Sequence, residues 1–203
     1  MATEEKLDLF KEHKDEYAAK RKPLILTPSK ACYLTIEGKG SPEEHFPDAA
    51  GALYAIAYPI KMGRKKAGLG DYTICKLEGQ YWGKTKGGDF SQLPKDEWNW
   101  KLLIRTPDFI TEDDVREAAE AAKEKGKTEP VERVRLETID EGPCVQQLHV
   151  GPYGELASTI ASMQEHAASE GLAFSGLYHE IYLSDPRKTA PEKLRTLVRI
   201  PVA

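Results

Sequence analysis

The 203-residue sequence predicts an α+β fold built from two strand-helix-strand-strand (βαββ) repeats with a cleft between them. Three observations carry this. Alternating apolar stretches and helical stripes occur in the same order in both halves. The run Lys101-Leu102-Leu103-Ile104-Arg105-Thr106-Pro107 is mirrored by Arg195-Thr196-Leu197-Val198-Arg199-Ile200-Pro201, with basic, apolar, Arg and Pro positions coincident. The distance between the copies far exceeds the roughly 20–50 residues of solenoid repeats, so it marks a duplicated domain. Two such units pair their sheets about a pseudo-twofold axis, and the seam is a natural cleft.

The elements follow in chain order. Residues 4–20 are highly charged, with Leu7, Phe10 and Tyr17 on one helical stripe, so residues 1–22 are expected to form an amphipathic arm helix. Pro23 ends it. Short strands are expected at 24–27 and 31–37 around the turn Pro28-Ser29-Lys30. A helix is expected from Pro47 to about Met62, with Ala49, Leu53, Ile56 and Ile60 inward and Tyr54 and Tyr58 on an adjacent stripe. Pro59 should kink or shorten its last turn. Strands are expected near 71–82 and 97–106, completing a first repeat over 23–110. Thr111-Glu112-Asp113-Asp114 is a helix start and Gly126 a stop, so 111–130 reads as a linker helix. The second repeat, 131–203, has strands at 133–139 and 144–150, a helix at 153–169, and strands near 176–183 and 193–201.

Composition excludes several classes of function. The chain is 40% hydrophobic and 31% charged, the balance of a globular protein. A net charge of −4 argues against direct nucleic-acid binding, which needs a basic face. The longest apolar-looking run, 49–60, is too short for the roughly 20 residues of a membrane-spanning helix. Met1-Ala2-Thr3-Glu4-Glu5-Lys6 lacks the apolar core of a signal peptide, so the cytoplasm is the expected compartment. Cys32, Cys75 and Cys144 form no disulfide framework, and the five histidines show no metal-ligand spacing, so no metal and no cofactor are expected. Gly68-Leu69-Gly70 and Lys86-Gly87-Gly88-Asp89 match no phosphate-binding loop. A monomer or weak dimer is expected.

The strand Leu177-Tyr178-His179-Glu180-Ile181-Tyr182-Leu183 is the most informative segment. Alternation places Leu177, His179, Ile181 and Leu183 on one face and Tyr178, Glu180 and Tyr182 on the other. Two readings are open. Glu180 meets water on an exposed face, or it is the floor of an aromatic cavity, where it pairs with a cation or acts as a base. Trp98 and Trp100 share one face, and Glu78 and Trp82 share a face of their own strand. Each tryptophan is either core packing or cleft wall. Tyr153, in the strand-to-helix loop Val150-Gly151-Pro152-Tyr153-Gly154, belongs to a tight turn at a helix start, and either serves that turn alone or also covers the cleft mouth. His149 is either a hydrogen-bonded structural residue or a proton-transfer group.

Four segments together resemble the GyrI-like small-molecule-binding family: Ile36-Glu37-Gly38-Lys39-Gly40-Ser41-Pro42, Leu77-Glu78-Gly79-Gln80-Tyr81-Trp82, His149-Val150-Gly151-Pro152-Tyr153, and His179 through Pro186. Their order matches, and the resemblance spans nearly the whole chain, 23–203 as domain. Gln80-Tyr81 and Pro59 depart from the family pattern. The resemblance implies two SH2-like βαββ motifs flanking a ligand cleft. It implies that Glu180 binds cationic aromatic compounds, with hydrophobic or cationic aromatic small molecules as partners. With no helix-turn-helix ahead of the domain, it also implies a stand-alone form similar to hydrolases that open the cyclopropane of DNA-alkylating cyclopropanoids. In that reading Glu180 and Tyr153 are catalytic, and Tyr54, Tyr58, Trp82, Trp98, Trp100, His149, Tyr178 and Tyr182 contact the ligand. The alternative is a non-catalytic protein that sequesters such compounds.

Overall fold

The structure is a computed structural model, described for residues 6–84, 93–126 and 130–203. The glycine-rich piece at 86–89, the first five residues and the end of the linker at 127–129 lie outside the described residues. In chain order the elements are α1 (Leu9–Glu12), β1 (Leu24–Leu26), β2 (Ala31–Lys39), α2 (Pro42–Lys66), β3 (Leu77–Trp82), β4 (Asn99–Thr106), α3 (Glu112–Glu124), β5 (Arg135–Ile139), β6 (Cys144–Val150), α4 (Leu156–Ser169), β7 (Tyr178–Tyr182) and β8 (Arg195–Pro201). The fold is α+β.

All eight strands form one antiparallel sheet, in the order β1-β6-β8-β7-β3-β4-β2-β5. The halves join where β3 pairs β7, with Gly79 opposite Glu180 and Tyr81 opposite Tyr178. Each half also lends its leading strand to the other: β1 pairs β6, and β5 pairs β2. Helix α2 packs on β2 and β4, and α4 on β6, so the central pair β3/β7 lies between the two helices. The main core sits on this face, with Leu53, Ile56, Leu102, Met163 and Val198 buried in it.

Helix α2 is longer than its stripe predicts. It starts at Pro42, behind Ser41, with Glu43 and Glu44 in its first turn facing the positive end of the dipole. It runs through Pro47 and Pro59, both of which lie on its exposed side. There a lost backbone bond costs least, so Pro59 does not end the helix. Helix α3 begins with the expected cap: Thr111 accepts from the Asp114 backbone, and the Asp114 carboxylate accepts from the Thr111 backbone.

The arm departs from expectation. Its helix covers only Leu9–Glu12, and residues 13–17 turn. The backbone is drawn instead into tertiary bonds. Leu7 N–H donates to the Asp71 carbonyl, and Thr73 N–H donates to Leu7. That pairing takes residues 71–73 out of the expected strand, which begins only at Leu77. The apolar stripe still faces inward. Phe10 stacks on Tyr17 at 4.6 Å between ring centroids, and Tyr17 packs on Leu148, Ile181 and Leu197. The arm therefore covers the sheet face opposite the helices.

Beneath the arm lies a buried polar network. Two arginines, Arg105 on β4 and Arg199 on β8, converge on one residue of the arm. Arg105 Nη1 binds the Glu16 carboxylate at 2.7 Å, and Arg199 Nη2 donates to the Glu16 carbonyl at 2.7 Å. Arg199 also holds Glu141 at 3.1 Å and Gln146 at 2.8 Å. Glu141 in turn holds His179 Nδ1 at 2.8 Å. Despite a burial cost, His179 and Arg199 hold the Glu141 carboxyl down at about 2. Burial also opposes the charged His179 ring, yet Glu141 and Glu78 raise it to about 9.

These shifts fix a pH dependence. The depressed Glu141 contributes stability above its ordinary value of 4.5, lost as pH falls toward about 2. The raised His179 contributes stability below its ordinary 6.5, lost as pH rises through about 9. Urea unfolding is therefore expected to show greatest stability between these ordinary values. A monotonic rise in stability from pH 5 to pH 9 would contradict the assignment.

Close packing at Gly38 gives a second prediction. Gly38 lies opposite Trp100, and an added Cβ would sit 2.1 Å from the indole. The ring is 3% exposed and held in the core, so it has no room to yield. Gly38→Ala is expected to destabilise by about 1–3 kcal/mol. Calorimetry would read this as a lowered Tm, and an unchanged Tm would show that the indole moves freely.

Candidate functional site

Strand alternation gives the central pair two chemically different faces. Glu78, Gln80 and His179 face the arm, while Gly79, Tyr81, Tyr178, Glu180 and Tyr182 face the helix side. Glu180 is 6% exposed, so it is not on an open strand face. Tyr178 Oη donates to its Oε1 at 2.8 Å, and Tyr182 supplies a second phenol bond. Tyr182 is bonded in turn to Tyr81. Three phenols thus feed one carboxylate, Tyr178 directly and Tyr81 through Tyr182.

Gly79 makes this possible. It lies opposite Glu180, and an added Cβ would sit 2.8 Å from the Tyr182 hydroxyl and 3.1 Å from that of Tyr81. Gly79→Ala should force the two phenols apart. We expect at least a tenfold loss of ligand affinity with little loss of fold, measurable by dye titration beside circular dichroism. Unchanged affinity would exclude a role for the phenol pair.

The walls are aromatic. Tyr81 contacts Phe46, Trp98 and Tyr178 at 5.9, 6.2 and 6.0 Å between ring centroids. Phe46 meets the edge of Trp100 at 5.2 Å. The buried Trp100 N–H has no acceptor among the described residues. Tyr153, 38% exposed in the turn before α4, meets Tyr182 edge-on at 6.1 Å.

Electrostatics follow from burial. Desolvation raises the Glu180 carboxyl to about 6, against the phenol bonds and the nearby His179 charge. Burial, Glu180 and Asp185 raise the Tyr153 phenol to about 12. At neutral pH the site therefore holds a carboxylate of raised basicity beside protonated phenols. Among the described residues, no group of three or more His, Cys, Asp and Glu side chains is arranged to hold a metal.

The structure brings together Glu180, Tyr178, Tyr182, Tyr153, Trp98 and Trp100. It does not bring Trp82 to them. Trp82 follows Gln80 on the arm face of β3, while Tyr81 takes the wall position. His149 is buried, with Nδ1 2.8 Å from Thr159 Oγ1 and Nε2 3.1 Å from the Pro152 carbonyl. One ring nitrogen thus holds the loop that carries Tyr153, and the other holds helix α4. Tyr54 and Tyr58 lie 5.9 Å apart on α2, where Asp185 and Arg187 influence Tyr54 and Tyr58 is largely exposed. Sequence reasoning marked Tyr81 only as part of a departure from the family pattern, and it missed Phe46. The parity of Tyr81 with Gly79 was a usable signal for the first, and nothing local marked the second.

The model of the GyrI-like small molecule binding domain matches residues 28–203. The chain belongs to the GyrI-like family. This GyrI-like protein is also similar to solved structures from Listeria innocua. One, an uncharacterized conserved protein, is 41% identical with a TM-score of 0.90, covering 98% of this chain and 100% of the other. Another, described as a hydrolase, is 40% identical with a TM-score of 0.89 and the same coverage. The C-terminal domain of EcmrR, at 14% identity and a TM-score of 0.55 over 90% of this chain and 97% of that one, shares the fold. No curated protein matches the chain at a significant level. No helix among the described residues is long and apolar enough to cross a membrane.

Proposed function

We propose that this GyrI-like protein binds bulky aromatic small molecules over β3/β7 and hydrolyses electrophilic ones, cyclopropanoid DNA alkylators above all. The observation that carries the proposal is the buried Glu180 carboxylate, hydrogen-bonded by Tyr178 and Tyr182 among aromatic walls. The hydrolase description of a 40%-identical structure supports hydrolysis. Two SH2-like βαββ repeats about a pseudo-twofold axis give the site its place, and the reciprocal exchange of β1 and β5 supports that relation. We place the protein in the cytoplasm, as a detoxifying enzyme.

In a cyclopropane fused to a dienone, the strained ring is the electrophile. Glu180 takes a proton from a bound water as the water oxygen bonds to the ring carbon. The cyclopropane C–C bond breaks, and its electron pair flows into the dienone, which becomes a phenolate. A phenol donor, Tyr153 at the mouth, stabilises that oxygen. Its raised pKa of about 12 keeps it protonated for the role. The proton on Glu180 then leaves to solvent, and the phenolate takes one up. The net reaction adds one water.

Incubation with a duocarmycin-type compound in H₂¹⁸O tests this by mass spectrometry of the products. A labelled hydroxyl at the opened ring is the expected result. Absence of product above the uncatalysed background would reject hydrolysis.

A second reading is binding alone. The carboxylate in an aromatic box favours it, because such a box suits delocalised cations. Cationic dyes would then bind more tightly than neutral dyes of the same shape, and equal affinity would count against this reading.

A further inference from the structure

The polar network under the arm takes no part in the chemistry above, yet it reaches the residue next to Glu180. Consecutive residues of β7 face opposite ways. Glu180 faces the aromatic site, and His179, 1% exposed, faces the arm. Carboxylate oxygens lie close to both ring nitrogens: Glu141 Oε1 is hydrogen-bonded to Nδ1 at 2.8 Å, and Glu78 Oε2 is 3.0 Å from Nε2, an ion-pair distance without hydrogen-bond alignment. A neutral imidazole would turn a lone pair toward one of them. Only the ring protonated at both nitrogens meets attraction on both sides. The surroundings hold these carboxylates in place. Arg199 binds Glu141, and Tyr17 of the arm lies 3.4 Å from Glu78. Among the described residues, Arg105, Glu16, Tyr33 and the Cys75 thiol also lie close by on this face, and Lys101, paired with Glu37 and Glu137, stands on it two strands away.

On the other face, Glu180 is buried away from bulk solvent. Tyr178 and Tyr182 bond to it, and among the described residues Tyr81, Tyr153, Asp185 and, beyond Tyr81, Glu43 are further titratable groups on this side. Phenols donate hydrogen bonds but carry no positive charge, and Asp185 is itself negative. A buried carboxylate stays ionised only when a cation or strong donors compensate for lost hydration. The cation nearest along the chain is the imidazolium one residue away, on the far side of a single layer of backbone.

We infer that His179 is a positioning residue for the site: its charge, fixed by Glu78 and Glu141 on the arm face, adds to the two phenol bonds in keeping Glu180 ionised within its pocket. The inference rests on Glu180 as the working carboxylate, and it gives the arm a role in the site. The arm closes the dry compartment in which His179 acts at short range.

The test reads Glu180 directly, without ligand. The full chain is labelled with ¹³C at the Glu carboxyl carbon, and Glu180 is assigned by its absence in Glu180→Gln. In His179→Gln the Glu180 titration midpoint is expected to rise by about one pH unit, the shift due to a unit charge on the neighbouring residue in a partly dry medium. His179→Lys, which restores a cation, should bring it back toward the parent value. An unmoved midpoint in folded His179→Gln would overturn the inference. The unaltered protein provides a measurement independent of folding. Its ¹⁵N-labelled His179 should show both nitrogens protonated throughout pH 5–8, and a neutral ring in that range would equally overturn the inference. Neither measurement needs catalysis, so a failure of the proposed hydrolysis leaves their outcome readable.

Discussion

Glu180→Gln is expected to lower hydrolysis of a cyclopropanoid by about 10²- to 10⁴-fold, the range for loss of a general base. The amide keeps the shape of the side chain and its oxygen can still accept from a phenol, so the fold should survive. Ground-state binding of neutral aromatic compounds should change little, because the walls formed by Tyr81, Trp98 and Trp100 remain. The loss should therefore fall on kcat more than on KM. Below a pH near 6, the unaltered enzyme should lose activity in the same way, as Glu180 takes up a proton. The sign is set by desolvation, which moves the acid limb upward from the ordinary carboxylate range. Full activity in Glu180→Gln would move the chemistry to another group.

The largest effect on stability is expected for Arg199→Met. Arg199 is 2% exposed, and its guanidinium serves Glu141, Gln146 and the Glu16 carbonyl. Methionine fills part of the volume but leaves the 7%-exposed Glu141 with His179 as its remaining ion-pair partner. Removing one member of a buried ion pair costs about 3–5 kcal/mol. Urea unfolding should show a lower midpoint with an unchanged slope. A loss below about 1 kcal/mol would mean that water reaches the network through the arm.

Local pattern made some parts of this molecule legible. Strand β6 falls at Cys144–Val150 as alternation and the turn at Gly142-Pro143 predict. The two faces of β7 were readable from period two alone. The arm was not, because its charged residues are individually good helix formers. Their fate was decided by distant partners: Asp71 for the Leu7 backbone, and Arg105 for the Glu16 carboxylate. For Trp82, alternation already gave its face, shared with Glu78, but not which face of that strand would stand beside Glu180. Which strand would lie beside β3 was also beyond local reading, so the Tyr81–Tyr182 contact could not be seen. The His179 network joins residues as far apart as Glu16 and Arg199. Its one visible trace was the recurrence of Arg at positions 105 and 199. His179 itself was submerged in an apolar face with Leu177, Ile181 and Leu183.

The reciprocal loan of β1 and β5 bears on how the chain can be divided. Each half carries a strand for which its own sheet has no berth. A polypeptide cut within the linker would give two pieces that each complete the other, so they should find one another when mixed. One half made alone would keep an unclaimed strand and a bare central edge at β3 or β7. Two copies of such a half would have every reason to trade strands, reproducing as a homodimer the architecture that the full chain builds once.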